Sequence, residues 1–262
     1  MVKGIRRYYE LTKHVSNPGE YYFHKGERRK RDLVFQTRPH AIRLEVPLRL
    51  YILFKEIFME DVYGIQELVA SLPPRPKIID IGANAGFFNF ILLSKTGQAD
   101  ILAFEPIPAN VMRFQYVLDQ NPWLKPYIRL EAKAVTGQPI PVLTLYAEEG
   151  DVNQTVASVF ADFHENNTRQ IEVPSLSLTE VLEDESSVDL LKLDCEGSEY
   201  DILYHTDPLL IRRIGRILAE IHDLDEDRRN VREMSRFLQE AGFRVQYEWL
   251  QPQCYMLAAV RE

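Results

Sequence analysis

The 262-residue sequence predicts an α/β fold: a mostly parallel sheet with helices on both faces and an antiparallel hairpin at its end. Three observations predict it. Short apolar runs of strand type alternate with helix-type patterns from Lys77 onward. A glycine-bearing turn, Asp80-Ile-Gly-Ala-Asn-Ala-Gly86, joins the first such run to the first helix. The last two runs are separated only by Gln251 to Gln253, a link so short that it allows only an antiparallel pair.

The elements follow in order. Residues 1–45 are polar and basic with interspersed Tyr8, Tyr9, Tyr21, Tyr22 and Phe23, and short helices or irregular structure are expected there. Pro47 to Met59 is apolar enough to pack on the main domain. We place residues 1–60 as a basic, aromatic extension and 61–262 as the main domain. Ile65 to Leu72 reads as a helix closed by Pro73 and Pro74. Lys77 to Ile81 is a strand buried on both faces, Phe87 to Ser94 a helix, and Ile101 to Phe104 the second strand. Pro108 opens a helix to Gln120 with Val111, Phe114 and Leu118 on one face. Tyr127 to Val135 holds the third strand. Pro141 to Ala147 and Ile171 to Pro174 read as an inserted hairpin.

Ser177 and Glu180 have capping-box spacing, and Ser198 with Asp201 suggests a similar helix start. Val188 to Leu193 and Gly215 to Ile221 are further strands, and Asp207-Pro208 starts a short helix. Asp227 to Ala241 is an amphipathic helix with Val231, Met234, Phe237, Leu238 and Ala241 on its stripe and Gly242 beyond its end. Phe243, Val245, Tyr247 and Trp249 alternate as a strand with one buried face, and Tyr255 to Val260 is the last strand.

The formal net charge is -8, which disfavours nucleic acid as a partner. Residues 1–40 hold ten Lys/Arg against four Asp/Glu, so the rest of the chain carries -14. The run Arg28-Arg-Lys-Arg31 would suit an anionic handle on a substrate, or be a solvated surface. Two cysteines, Cys195 and Cys254, have neither a disulfide framework nor metal-ligand spacing. No leader-like or bilayer-length apolar stretch is present, and the reading is a soluble cytoplasmic protein of unassigned oligomeric state.

The loop from Asp80 to Gly86 lies where open α/β sheets bind ligands. Its middle position, where a dinucleotide fingerprint needs glycine, is Asn84, which disfavours a diphosphate and hence an NAD(P)-dependent oxidoreductase. Gly82 and Gly86 allow a tight turn and close approach of a ligand. Asn84 can donate to an amino-acid carboxylate and Asp80 can attract an ammonium, the two ends of a methionine moiety. Glu105, at the end of the second strand and 25 residues after Asp80, is placed to accept from two ribose hydroxyls.

The chain resembles the FkbM-type methyltransferases from about Phe54 to Val260. The resemblance rests on Glu56-Ile-Phe58 with Tyr63, Ile79-Asp-Ile-Gly-Ala-Asn-Ala-Gly86-Phe87, Phe104-Glu-Pro106, the block Val188-Asp-Leu-Leu-Lys-Leu-Asp-Cys-Glu-Gly-Ser-Glu-Tyr200, and Glu220-Ile-His222. It implies a class I, Rossmann-like seven-stranded methyltransferase sheet, S-adenosylmethionine as cofactor, and a hydroxyl acceptor on a sugar, a glycan or a secondary metabolite. The family's T-L-D ahead of the fourth strand is here Leu178-Thr179-Glu180.

The expected cofactor wall is therefore Asp80, Gly82, Ala83, Asn84, Gly86, Phe87, Glu105 and Pro106. Lys133 and Ala134 are placed near the adenine by position. A protonated hydroxyl needs a base. Asp194 or His222 is the expected base, with Glu196 and Glu220 orienting the acceptor. No metal is required by this chemistry. If Asp194, Glu196, Glu220 and His222 converged, their donors would suit magnesium or manganese. Lys192 reads as a structural partner of a neighbouring acid, and Cys195 as packing. A cofactor-binding scaffold without catalysis is the remaining alternative.

Overall fold

The computed structural model describes residues 4–150, 153, 157–161, 163 and 165–262. An N-terminal layer comes first: helices α1 (Arg6–His14) and α2 (Gly19–His24), the hairpin strands β1 (Leu33–Gln36) and β2 (Arg43–Val46), then α3 (Tyr51–Phe58) and α4 (Ile65–Ala70). The hairpin is an addition to the sequence expectation of helices or irregular chain. Its apolar residues alternate over only four positions per strand, too few for a period to stand out.

The main sheet begins with β3 (Lys77–Ile81), α5 (Phe87–Thr96), β4 (Asp100–Phe104), α6 (Pro108–Gln120) and β5 (Ile128–Glu131). An inserted arm of β6 (Ala134–Thr136), β7 (Val142–Ala147) and β8 (Arg169–Ser177) follows. The chain then runs through α7 (Leu178–Glu183), β9 (Leu190–Leu193), α8 (Glu199–Tyr204), α9 (Pro208–Ile211), β10 (Arg216–His222), α10 (Val231–Glu240), β11 (Phe243–Gln251) and β12 (Cys254–Arg261). The seven-stranded order is β11-β12-β10-β9-β3-β4-β5, with β12 antiparallel to both neighbours and the other main-sheet pairs parallel. The predicted α/β architecture and terminal hairpin are both present.

Every residue of β9 is buried, as is all of β3 except Lys77, which explains their unbroken apolar runs. The N-terminal layer shares the core of the main sheet. Phe54 stacks between Phe35 and Phe58 at 4.3 and 4.6 Å, and Phe87 of α5 meets Phe54 and Phe58 edge-on. The apolar segment Pro47 to Met59 thus packs where its composition predicts. Among the described residues, no helix is long and apolar enough to cross a membrane.

Four local expectations are corrected. The third strand ends at Glu131, and Ala134–Thr136 leaves the main sheet to pair with β8. A continuous apolar pattern hid this because Ile128 and Val135 are both buried but in different clusters. Ser198 makes no cap: the Asp201 carboxylate accepts from Gly137 N at 3.0 Å, and Glu199 takes the loop amides instead. The helix expected from Asp227 begins at Val231, capped by Asn230, because Asp225 gathers the amides of Asp227, Arg228 and Arg229 into a turn. On edge strand β11 only Phe243 is fully buried; Tyr247 and Trp249 are 44% and 58% exposed, so the expected buried face does not continue. The capping box at Ser177 and Glu180 forms as spaced, and Gly242 takes a positive φ.

Candidate active site

A cavity of about 380 Å³ opens where the strands β3, β4, β9 and β10 end. Parallel strands all present their carboxyl ends to this side, so their terminal side chains and following loops converge there. Gly82, Ala83 and Asn84 form one wall with Phe87, and Glu105, Pro106 and Ile107 form the next. Lys133 and Ala134 border the same side, and Asp194, Glu196, Glu220 and His222 close the far end.

Gly82 adopts φ +78, and a Cβ there would stand 1.8 Å from the Asp194 carbonyl oxygen. Only glycine lets the loop pass so close to the end of β9. Glu105 is 3% exposed. Its Oε2 accepts from Asn84 N at 2.7 Å, and its Oε1 accepts from Ile107 N at 2.9 Å and from Asn110 Nδ2 at 3.3 Å. Burial pushes this carboxyl up to about 7, against the pull of those donors. Asn84 holds φ 50, a left-handed conformation that its short polar side chain tolerates, and its Oδ1 accepts from Ala85 N.

Two expected cofactor residues stand elsewhere. Asp80 is fully buried behind the loop, accepting from Asn89 Nδ2 at 2.7 Å and paired with Lys192 Nζ at 3.2 Å. The end of a strand was legible from sequence, but not the face to which its last acid points. Asp80 therefore braces the loop and is not in the cavity wall. Gly86 is not there either; a Cβ would stand 2.8 Å from the Phe114 ring, so this glycine lets α5 and α6 pack. The basic run Arg28–Arg31 lies outside the cavity wall, with Arg31 held by Glu20 and Glu27. The basic side chains that do line it are Arg49, Lys133 and Lys192.

Lys192 ties the two halves together. Its Nζ donates to Gly82 O at 2.8 Å and faces Asp80 at 3.2 Å and Asp194 at 3.5 Å. Burial pulls its pKa down, but the two carboxylates outweigh that and hold the ammonium charged beyond its ordinary range. The structural role expected for Lys192 is present, with the addition that it also reaches the cavity. Asp194 accepts from the Tyr63 hydroxyl at 3.0 Å.

Beyond Asp194 the acids crowd. His222 Nε2 lies 3.5 Å from Glu196 and 3.6 Å from Glu220, and its Nδ1 is 4.0 Å from Glu199. Burial pushes Glu220 and Glu199 up to about 7 each, with Asp194 adding to both shifts. Burial, then the charges of Asp194 and Glu220, raise Glu196 well above the usual carboxylate range. Glu196 also carries a left-handed φ of 52, and its carbonyl accepts from Ser158 of the arm at 2.6 Å. Non-glycine residues in that conformation concentrate at functional sites.

Among the wall residues not singled out as site residues from sequence, three are titratable and come from the segment ahead of the sheet: Glu56, Tyr63 and Arg49. Burial, then Glu60 and Asp194, push Glu56 up to about 7. Glu56 and Tyr63 stood in the motif blocks, which was the only signal that could have drawn attention to them.

The sheet order, the glycine turn beneath a nucleoside-sized cavity, and the carboxylate on the next strand define a class I methyltransferase. The Methyltransferase FkbM domain family matches residues 80–245, and the chain belongs to that family. Its methyl donor is S-adenosylmethionine. Methyltransferase 1 of Beauveria bassiana (strain ARSEF 2860) is 33% identical over 248 residues, covering 84% of this chain and 92% of that protein. Methyltransferase sdnD of Sordaria araneosa is 26% identical, covering 80% and 89%. The 31-O-demethyl-FK506 methyltransferase FkbM of Streptomyces tacrolimicus is 25% identical, covering 66% and 75%. Among solved structures, methyltransferase FkbM of Methylobacillus flagellatus KT superposes with a TM-score of 0.51 at 11% identity, covering 81% of this chain and 60% of that one, a likeness of fold.

Proposed function

We propose that the chain transfers a methyl group from S-adenosylmethionine to a hydroxyl of a small molecule, with Asp194 as the base. The residues present suit the cofactor. Glu105 offers two carboxylate oxygens at the cavity wall for a ribose diol, and Gly82, Ala83 and Asn84 line the neighbouring wall for the methionine end. Phe87, Ile107 and Ala134 supply apolar surface for the base. When bound, S-adenosylmethionine supplies an electrophilic methyl group on a sulfonium.

The protein's part is then to hold an acceptor in line, exclude water and take a proton. The placement of Asp194 carries this reading. It sits where the cofactor loop meets the acid cluster, and Tyr63 and Lys192 both engage its Oδ2. Glu196 and Glu220 lie beyond Asp194, beside His222, where they suit hydrogen bonding to an acceptor. A relative named for O-methylation adds support for a hydroxyl acceptor.

The test uses S-adenosylmethionine labelled in its methyl group and a panel of hydroxylated sugars and secondary metabolites. Label recovered in an ether that survives alkali supports the reading. Label found only in amines, esters or carbon-bound methyl groups, or in no product of the panel, overturns it.

A further inference from the structure

We propose that Glu220, His222 and Cys254 form a three-ligand site for one divalent metal ion of the zinc class at the acceptor end of the cavity, with the fourth position open to an acceptor oxygen. The sheet register builds it. Glu220 and His222 are two residues apart on β10 and so share a face, and Cys254 is directly opposite His222 on the antiparallel β12. The three donor atoms lie within 4.8 Å of one another. Cys254 Sγ is 3.1 Å from Glu220 Oε1, and His222 Nε2 is 3.6 Å from Glu220 Oε1 and 3.5 Å from Glu196 Oε2. Four donors around a tetrahedral zinc, at roughly 2.0–2.3 Å from the metal, stand about 3.3–3.5 Å from one another. Glu220 stands within a few tenths of an ångström of that spacing from both Cys254 and His222.

A second observation points the same way. His222 Nδ1 is buried and has no hydrogen-bond partner among the described residues, and it faces the carboxylate of fully buried Glu199 at 4.0 Å. A carboxylate that orients a metal-binding histidine accepts from its other nitrogen, and Glu199 stands about one ångström beyond that bond. The basic side chains lining the cavity are committed elsewhere: Arg49 to Glu148, Lys133 to Glu131, and Lys192 to Asp80 and Asp194. Among the described residues, no lysine or arginine lies within ion-pair distance of Glu196 or Glu220, so a dication would offset the acids there.

The donor set differs from the magnesium or manganese set expected from sequence. Asp194 is engaged by Tyr63 and Lys192, and a thiol takes its place. Sulfur and imidazole together select zinc-like ions over hard, oxygen-seeking ones. The ion would act as a Lewis acid on an acceptor oxygen, which complements Asp194 as base. Metal binding is read without any acceptor, so its failure and the failure of the proposed reaction are separable.

The experiment uses the full, untagged chain, stripped with a chelator and loaded with cobalt(II) alone. The expected spectrum has a thiolate-to-cobalt charge-transfer band and intense visible bands of tetrahedral cobalt, both bleached by equimolar zinc. Cys254→Ser should lose the charge-transfer band and Cys195→Ser should keep it. Elemental analysis after gel filtration should give one zinc per chain. A wild-type chain that takes up no metal, or one whose cobalt spectrum is weak, octahedral and free of thiolate, overturns the proposal. So does a charge-transfer band that follows Cys195.

Discussion

Replacing Lys192 with methionine tests the claim that the cofactor loop is held from behind by a buried ion pair. The lysine side chain is 3% exposed and that of Asp80 is 0% exposed, so neither charge is screened by solvent. Methionine keeps the stem's volume and removes the ammonium. Asp80 is then left buried with only Asn89 as a partner, and Gly82 O loses its donor. Removing one member of a buried pair costs about 3–5 kcal/mol. For a chain of this size each kcal/mol is worth roughly 2–4 °C, so the midpoint should fall by roughly 6–20 °C.

The loss should depend on pH. Burial raises Asp80 and Lys192 opposes that rise, so the variant's carboxyl moves further up. A carboxyl raised in the folded state favours folding at low pH, and that contribution disappears as pH rises through its folded value. The gap between variant and wild type should therefore narrow as pH falls. The double variant Lys192→Met with Asp80→Asn removes both charges and should recover most of the loss. Urea unfolding at acid and neutral pH measures all three. A single variant within about 1 kcal/mol of wild type, or a double variant no better than the single, would refute the reasoning.

Four further outcomes are expected. Glu105→Gln should weaken binding of S-adenosylhomocysteine by roughly 10- to 100-fold, since hydrogen bonds to a charged acceptor contribute about 1.5–3 kcal/mol; calorimetry reads it. Asp194→Asn should leave that affinity within a few-fold while transfer to an identified acceptor falls by roughly 100-fold or more, as for loss of a general base, in a labelled-methyl assay. Burial pushes Glu56, Glu105, Glu199 and Glu220 each up to about 7 in the folded chain against a usual 4.5, so the unfolded chain holds fewer protons between those values. Stability of the ligand-free protein should then fall as pH rises through that window, a trend that melting at pH 6 and pH 8 checks and that a higher midpoint at pH 8 contradicts. Ser177→Ala should lower stability by about 1 kcal/mol through loss of its cap to Glu180 N, measurable by urea unfolding.

The strands were legible because burial on both faces leaves unbroken apolar runs, as at Lys77–Ile81 and Leu190–Leu193. The turn at Gly82 was legible because a left-handed φ beside another strand requires glycine. Glu105 could be placed because strand ends in this architecture face the ligand side. Asp80 was misplaced by the same rule, since one residue along a strand reverses the side-chain direction and the rule does not say which acid turns inward. Cys254 carries no local signal, and Tyr63 none beyond its place beside a motif block. Tyr63 arrives through packing of the N-terminal layer, and Cys254 meets His222 through a ladder register set by β12. Long-range contacts of that kind are written in the register and the packing rather than in any window of sequence.

Titration calorimetry of the purified chain with S-adenosylhomocysteine, run beside NAD, tests the central claim most directly. Saturable micromolar binding of S-adenosylhomocysteine and no heat from NAD are expected. Binding of NAD, or no binding of S-adenosylhomocysteine by a folded sample, would contradict it.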